Sequence, residues 1–109
     1  MNVLFVPKAL QYLEKLVIIL YVREYFSYLD TSKKYVDELV DEILSTLPEK
    51  LHIPAPNYFN KYSKGMKYAI FKKSKRTSWY VFFKKYRKNE EIIYVVRYIA
   101  NNHIIAQHL

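Results

Sequence analysis

Apolar and polar positions change their period several times along the chain, and each change marks an element. Asn2 to Val6, "NVLFV", is a short β-type run closed by Pro7. Proline ends a strand and can open a helix at its first turn. From Lys8 the period is helical: Leu10, Leu13, Val17, Leu20 and Tyr21 fall at i, i+3, i+7, i+10 and i+11. That spacing predicts an amphipathic helix running to about Tyr28. "LDTSKK" then offers Asp30, Thr31 and Ser32 as caps for a second helix. Its apolar face would hold Val36, Leu39, Val40, Ile43, Leu44 and Leu47, and Pro48 would stop it. Asp37, Glu38, Asp41 and Glu42 fall largely on the other side and read as a solvated face. Two helices joined by a few residues predict an antiparallel hairpin.

Residues 48–66, "PEKLHIPAPNYFNKYSKGM", lose the period, and Pro54 and Pro56 disfavour regular structure. A connection this long usually has a task or local structure of its own. Tyr58, Phe59 and Tyr62 could form a short turn packed on the core. Three alternating runs follow: Lys67 to Lys73, Ser78 to Lys84 and Glu91 to Ala100, with short links that predict an antiparallel meander. The expected fold is α+β in the order β-α-α-β-β-β, with the helix hairpin packed on one face of a mainly antiparallel four-stranded sheet. Two helices cover only one face of such a sheet. The other is expected to stay partly open as a concave surface bordered by charge.

Composition narrows this picture. The chain has 109 residues, which suits a single domain spanning 1–109. It contains no Cys, so disulfides, thiolate metal sites and Cys nucleophiles are excluded. Its three His show no metal-ligand spacing, and neither a metal nor a cofactor is expected. The apolar run Leu16 to Val22 is far short of the roughly 20 residues of a membrane span. The N-terminus is broken by Pro7, Lys8, Glu14 and Lys15 and does not read as a signal peptide. A cytoplasmic location with no membrane partner is the expectation. Charge is unevenly spread: residues 1–50 hold six Lys+Arg and eight Asp+Glu, a balance of −2, whereas residues 51–109 hold twelve and two, a balance of +10. The second half is where a polyanion or an acidic protein segment would dock.

The run "KRTSWYVFFKKYRKNEEIIYVVRYIANNHIIAQHL", Lys75 to Leu109, together with the β-α-α-β-β-β order, resembles the RelE/ParE superfamily of type II toxins. It looks most like a Bacteroidetes branch described as plasmid stabilisation proteins. The resemblance implies a toxin held inactive by a cognate antitoxin. RelE-like members are ribosome-dependent mRNA interferases, which implies the ribosome and mRNA as partners. ParE-like members instead poison DNA gyrase and cut no RNA. Arg97 falls where many members carry an Arg within an apolar last strand. Ala100, Asn101, Asn102 and His103 match a run that in the family is often His-Gly-Arg-Arg-like, with His103 near the place of its Arg. Trp79 stands roughly where RNA-cleaving members have an Arg, and His108 lies near their catalytic tail Tyr.

RNA cleavage without a metal needs the 2′-hydroxyl activated, the developing charge stabilised and the leaving oxygen protonated. His, with an ordinary pKa of about 6.5, suits the proton transfers, and Arg or Lys suits the charge. The catalytic candidates are therefore Arg97, His103 and His108, with Arg76 as a further charge stabiliser. Lys72, Lys73, Lys75 and Arg76 would hold phosphates, and Trp79 or Tyr80 would stack a splayed base. Each has a plainer reading: a surface histidine at His103, a fraying end at His108, an ion pair at Arg97, a core indole at Trp79 and a solvated loop at Lys72 to Arg76. A non-enzymatic nucleic-acid-binding module, without any toxin role, is the remaining alternative.

Overall fold

The computed structural model describes residues 2–23, 26–105 and 108–109. It is an α+β fold in which two helices pack against a five-stranded mixed sheet. Strand β1 (Asn2–Phe5) leads through Pro7 into helix α1 (Pro7–Val22), and α2 spans Leu29–Thr46. A two-residue strand β2 (Ile53–Pro54) precedes β3 (Lys67–Lys72), β4 (Ser78–Lys88) and β5 (Glu91–Asn101), and a short helix α3 (Asn102–Ile105) follows.

The expected four-stranded, mainly antiparallel sheet is corrected in two respects. The strand order is β1-β5-β4-β3-β2, and β1 lies parallel to β5, with Asn2 opposite Ile93 and Phe5 opposite Val96. β2 adds a fifth strand, pairing Ile53 with Tyr68 and Pro54 with Lys67. Pro54 is tolerated there because β2 is the sheet edge. β4 and β5 are joined by a two-residue turn whose Asn89 and Glu90 both have positive φ, 50° and 70°. That backbone matches the right-handed twist of a hairpin.

The helices also differ in detail from their sequence pattern. α1 ends at Val22, where the Arg23 N–H turns back to the Ile19 carbonyl at 3.0 Å. Its buried stripe is Ala9, Leu13, Leu16 and Leu20, so Leu10 and Tyr21 face outward. α2 starts at Leu29 with Tyr28 as its cap residue, and Asp30, Thr31 and Ser32 lie inside its first turn. Ser32 is fully buried, and its hydroxyl donates to the Val17 carbonyl. A hydroxyl buried between helices needs such a partner, and this bond fixes one helix against the other.

The sheet has two cores. On the helix side, Ala69, Phe71, Trp79, Val81, Phe83, Tyr94, Val96 and Ile99 meet the buried stripes of α1 and α2. On the far side, Tyr68, Phe82 and Ala100 pack with Phe59 and Met66 from the connection after α2, flanked by Ile53, Ala55, Tyr80 and Tyr98. Phe59 sits in a 3-10 turn (Asn57–Lys61) and is 0% exposed, its ring centroid 4.4 Å from that of Phe82. The far face, expected to stay partly open, is covered over Phe82 and Ala100 and remains exposed at Ile70 and Tyr86. Phe82 and Ala100 are apolar groups on that face, and the long connection exists to keep them from water.

Phe59→Ala is expected to cost about 3–5 kcal/mol of stability, the range for removing a fully buried aromatic side chain. Urea unfolding followed by circular dichroism measures it. A loss below about 1 kcal/mol would show that the connection does not hold the far face.

Candidate nucleic-acid interface

Cations gather at two places. The first is on the far face, where the chain of β5 is interrupted. Phe82 pairs with Tyr98 and Phe83 with Val96, so Arg97 is an extra residue with no partner directly across. Such a bulge re-aims the side chain it carries. Arg97 Nη2 donates to the Tyr86 hydroxyl at 2.8 Å, while its Nε is buried with no partner among the described residues. Leaving a charged donor buried and unsatisfied is costly. The guanidinium lines a hollow of about 360 Å3 together with Val6, Pro7, Lys8, Lys61 and Tyr62. Among the described residues, three cations and no carboxylate form its wall.

Tyr62 is the one aromatic residue among those described in this lining, and further rings touch the lining residues. Tyr62 stacks on Tyr98 with centroids 4.0 Å apart and planes 9° from parallel. Lys61 Nζ lies 4.0 Å from the Tyr58 ring centroid, and His108 stacks on the same Tyr58 ring at 3.6 Å. Tyr58, Tyr62 and Tyr86 remain 43%, 38% and 40% exposed. Phe59 anchors the turn beneath, which leaves Tyr58 and Tyr62 on its outer side. Contact with the Tyr58 phenol holds the Lys61 ammonium above its ordinary pKa, so it acts as a fixed positive charge and not as a base. Burial, then its bond with Tyr62, pushes the Tyr98 phenol well above the usual range and keeps it neutral.

The second place is on the helix side, beyond the end of the hairpin. Arg23, Lys73 and His103 line a cavity with Tyr12, Tyr35 and Trp79. Trp79 is 1% exposed and its indole N–H donates to the Tyr35 hydroxyl at 2.8 Å. It is too buried to stack a splayed base, which corrects that expectation. Lys73 is half-buried and paired with Glu42 at 3.3 Å, so much of its charge is already met. Lys72, Lys75 and Arg76 are exposed on or beside the β3–β4 turn. Asn102 secures that turn, accepting from the Ser78 N–H at 2.9 Å and donating to the Arg76 carbonyl at 3.1 Å. Tyr80 is half-buried on the far face beside Tyr68, 5.6 Å between centroids.

The structure thus separates residues that the sequence placed in one site. Arg97 lies in the far-face hollow and His108 joins that face through Tyr58. His103 lines the helix-side cavity, whereas Lys75 and Arg76 sit on the turn between strands. Lys8, Lys61, Tyr58, Tyr62 and Tyr86 were not singled out as site residues. The available signal was "NYFNKYSK", where aromatics and cations interleave inside an otherwise irregular stretch. Among the described residues, no three His, Asp or Glu side chains gather as metal ligands. No helix among them is long and apolar enough to cross a membrane.

Comparison with protein-family profiles, curated proteins and solved structures finds no match for the chain. What the interface can do therefore rests on its own geometry. A basic hollow with no carboxylate among its described lining, edged by exposed rings, suits a phosphate backbone carrying unpaired bases.

The neutral Tyr98 has a measurable consequence. Its raised pKa favours the fold fully below the ordinary phenol range, and that contribution is lost as pH rises past about 10. Titration of phenolate absorbance should give the same amplitude up to about pH 11 in the native chain and in Tyr98→Phe. A smaller amplitude in the variant over that range would show that Tyr98 ionises normally.

Proposed function

We propose that the chain is the toxin component of a type II toxin–antitoxin pair of RelE/ParE-like character. It acts in the cytoplasm as an mRNA interferase on ribosome-bound message and is neutralised by a cognate antitoxin. The observation that carries this reading is the far-face hollow, in which Arg97, Lys8 and Lys61 meet beside the stacked Tyr62 and Tyr98. The order of a strand, a helix hairpin and an antiparallel meander supports it, as does the resemblance of Lys75 to Leu109.

In this reading the cations do the electrostatic work. Arg97, with Lys61 and Lys8 beside it, holds the scissile phosphate and meets the charge that develops as the 2′-oxygen attacks. Tyr58 and Tyr62 offer ring faces to bases drawn out of a helix. His108 is the proton-transferring candidate on this face, and His103 is left without a catalytic part. ParE-like gyrase poisoning is the second reading. It is favoured by the separation of His103 from Arg97, which leaves the site with fewer acid–base groups than cleavage would use.

Expression of the chain alone should arrest growth. Added to translating ribosomes, the purified protein should cut message. Arg97→Ala should slow cutting by about a hundredfold, the scale of losing one charge-stabilising donor. His103→Ala should leave it unchanged. Intact message with gyrase stalled on DNA would establish the second reading, and harmless high-level expression would end both.

A further inference from the structure

The helix-side cavity is separate from the far-face hollow and has a different character. Its volume is about 280 Å3, near the lower end of small-ligand pockets at ~300–1,000 Å3. Leu16 and Leu20 from the buried stripe of α1 contribute an apolar floor, with Ile19, Phe26 and Trp79 beside them. Arg23, from the end of α1, and His103, from α3, stand at its polar side. Ser74 and Thr77 of the β3–β4 turn add hydroxyl groups. The Ser74 hydroxyl accepts from the Arg76 and Thr77 N–H groups at 3.3 and 3.1 Å, which leaves its proton to donate. Lys73 also lines the cavity, but its ammonium is drawn to Glu42, so Arg23 is the principal cation offered to a ligand. Among the described residues, no carboxylate lines the cavity.

An apolar floor with positive charge and hydroxyl donors at one side selects an amphipathic anion. The volume admits a single ring with a short anionic arm and no more. We propose that this cavity binds a small aromatic acid, its ring against Ile19, Leu20 and Phe26 and its carboxylate or phosphate toward Arg23, Ser74 and Thr77. This site does not rest on the toxin reading, because none of its residues lines the far-face hollow.

The chain's only Trp is in the wall of the cavity, so its indole N–H gives one isolated reporter signal in a nitrogen–proton correlation spectrum. The full chain is titrated with phenyl phosphate, with phenylacetate and with neutral benzyl alcohol. The two anions should shift the Trp79 signal saturably, with benzyl alcohol at least about tenfold weaker. The stronger of the two anions identifies the head group as phosphate or carboxylate. Arg23→Gln, at an exposed position, should weaken anion binding by about tenfold or more, the loss of one charge-assisted hydrogen bond. Ile19→Trp, also at an exposed position, should fill the cavity and abolish the shift read through the original indole. Equal binding of benzyl alcohol, no shift with any probe, or an unchanged affinity in Arg23→Gln would each overturn the proposal.

Discussion

Trp79, Val81 and Phe83 point from β4 toward the helix hairpin, Phe82 points the opposite way, and all four are at most 1% exposed. A strand of this kind has no face to give to water, so the sheet must be covered on both sides. The hairpin supplies one cover. Its buried stripes, with Ser32 bonded to the Val17 carbonyl, close over Ala69, Phe71 and Val96. The connection after α2 supplies the other, placing Phe59 on Phe82 and Met66 beside it. The second cover lacks a long helix because the area is small, and one 3-10 turn carrying one fully buried ring fills it.

The same demand shapes β5. Before Arg97, Val96 and Tyr94 face the helices. After it, Ile99 does so, at a spacing of three where a regular strand would have two. The bulge absorbs the extra residue, lets Tyr98 and Ala100 join the far core, and leaves the guanidinium bonded to Tyr86 at the hollow. The basic hollow is thus a by-product of how two cores are fitted to one strand. A charge that neither core can take is displaced to where β1 ends, α1 begins and the Asn57–Lys61 turn closes in.

Much of the fold was legible because period and punctuation agree. Pro7 and Pro48 mark helix boundaries, and the alternations in β3, β4 and β5 read directly as strands. The misplaced features share a cause, which is that they depend on tertiary partners. Leu10 and Tyr21 fit a helical stripe in sequence, yet the stripe that meets the sheet is the one containing Ala9 and Leu16. Thr31 and Ser32 have capping side chains, but the buried contact with Val17 draws Ser32 into the helix. The parallel pairing of β1 with β5 joins the ends of the chain and leaves no local trace. β2 is only two residues long and carries Pro54, so alternation could not reveal it. Among the candidate site residues, Arg97 stands out in sequence as a lone cation in an apolar strand. Its companions Lys8 and Lys61 are remote in sequence and meet it only through β1 and the far cover.

The charge asymmetry between the two halves takes on a spatial meaning from this arrangement. Most of the acidic groups of α2 stay on its outer surface, and Glu42 alone turns inward, to hold Lys73. Cations from both halves border two unlike surfaces. Next to the hairpin end, cations border a cavity with an apolar floor. On the far side, cations lie among exposed rings that belong to the cover and not to the sheet beneath it. A polymer reading that surface would touch Tyr58, Tyr62 and Lys61, whose positions depend on Phe59 staying seated on Phe82. Stability of the second core and order of the interface are therefore one property. A change that loosens Phe59 would disorder this basic, aromatic surface before it disturbed the helix-side core.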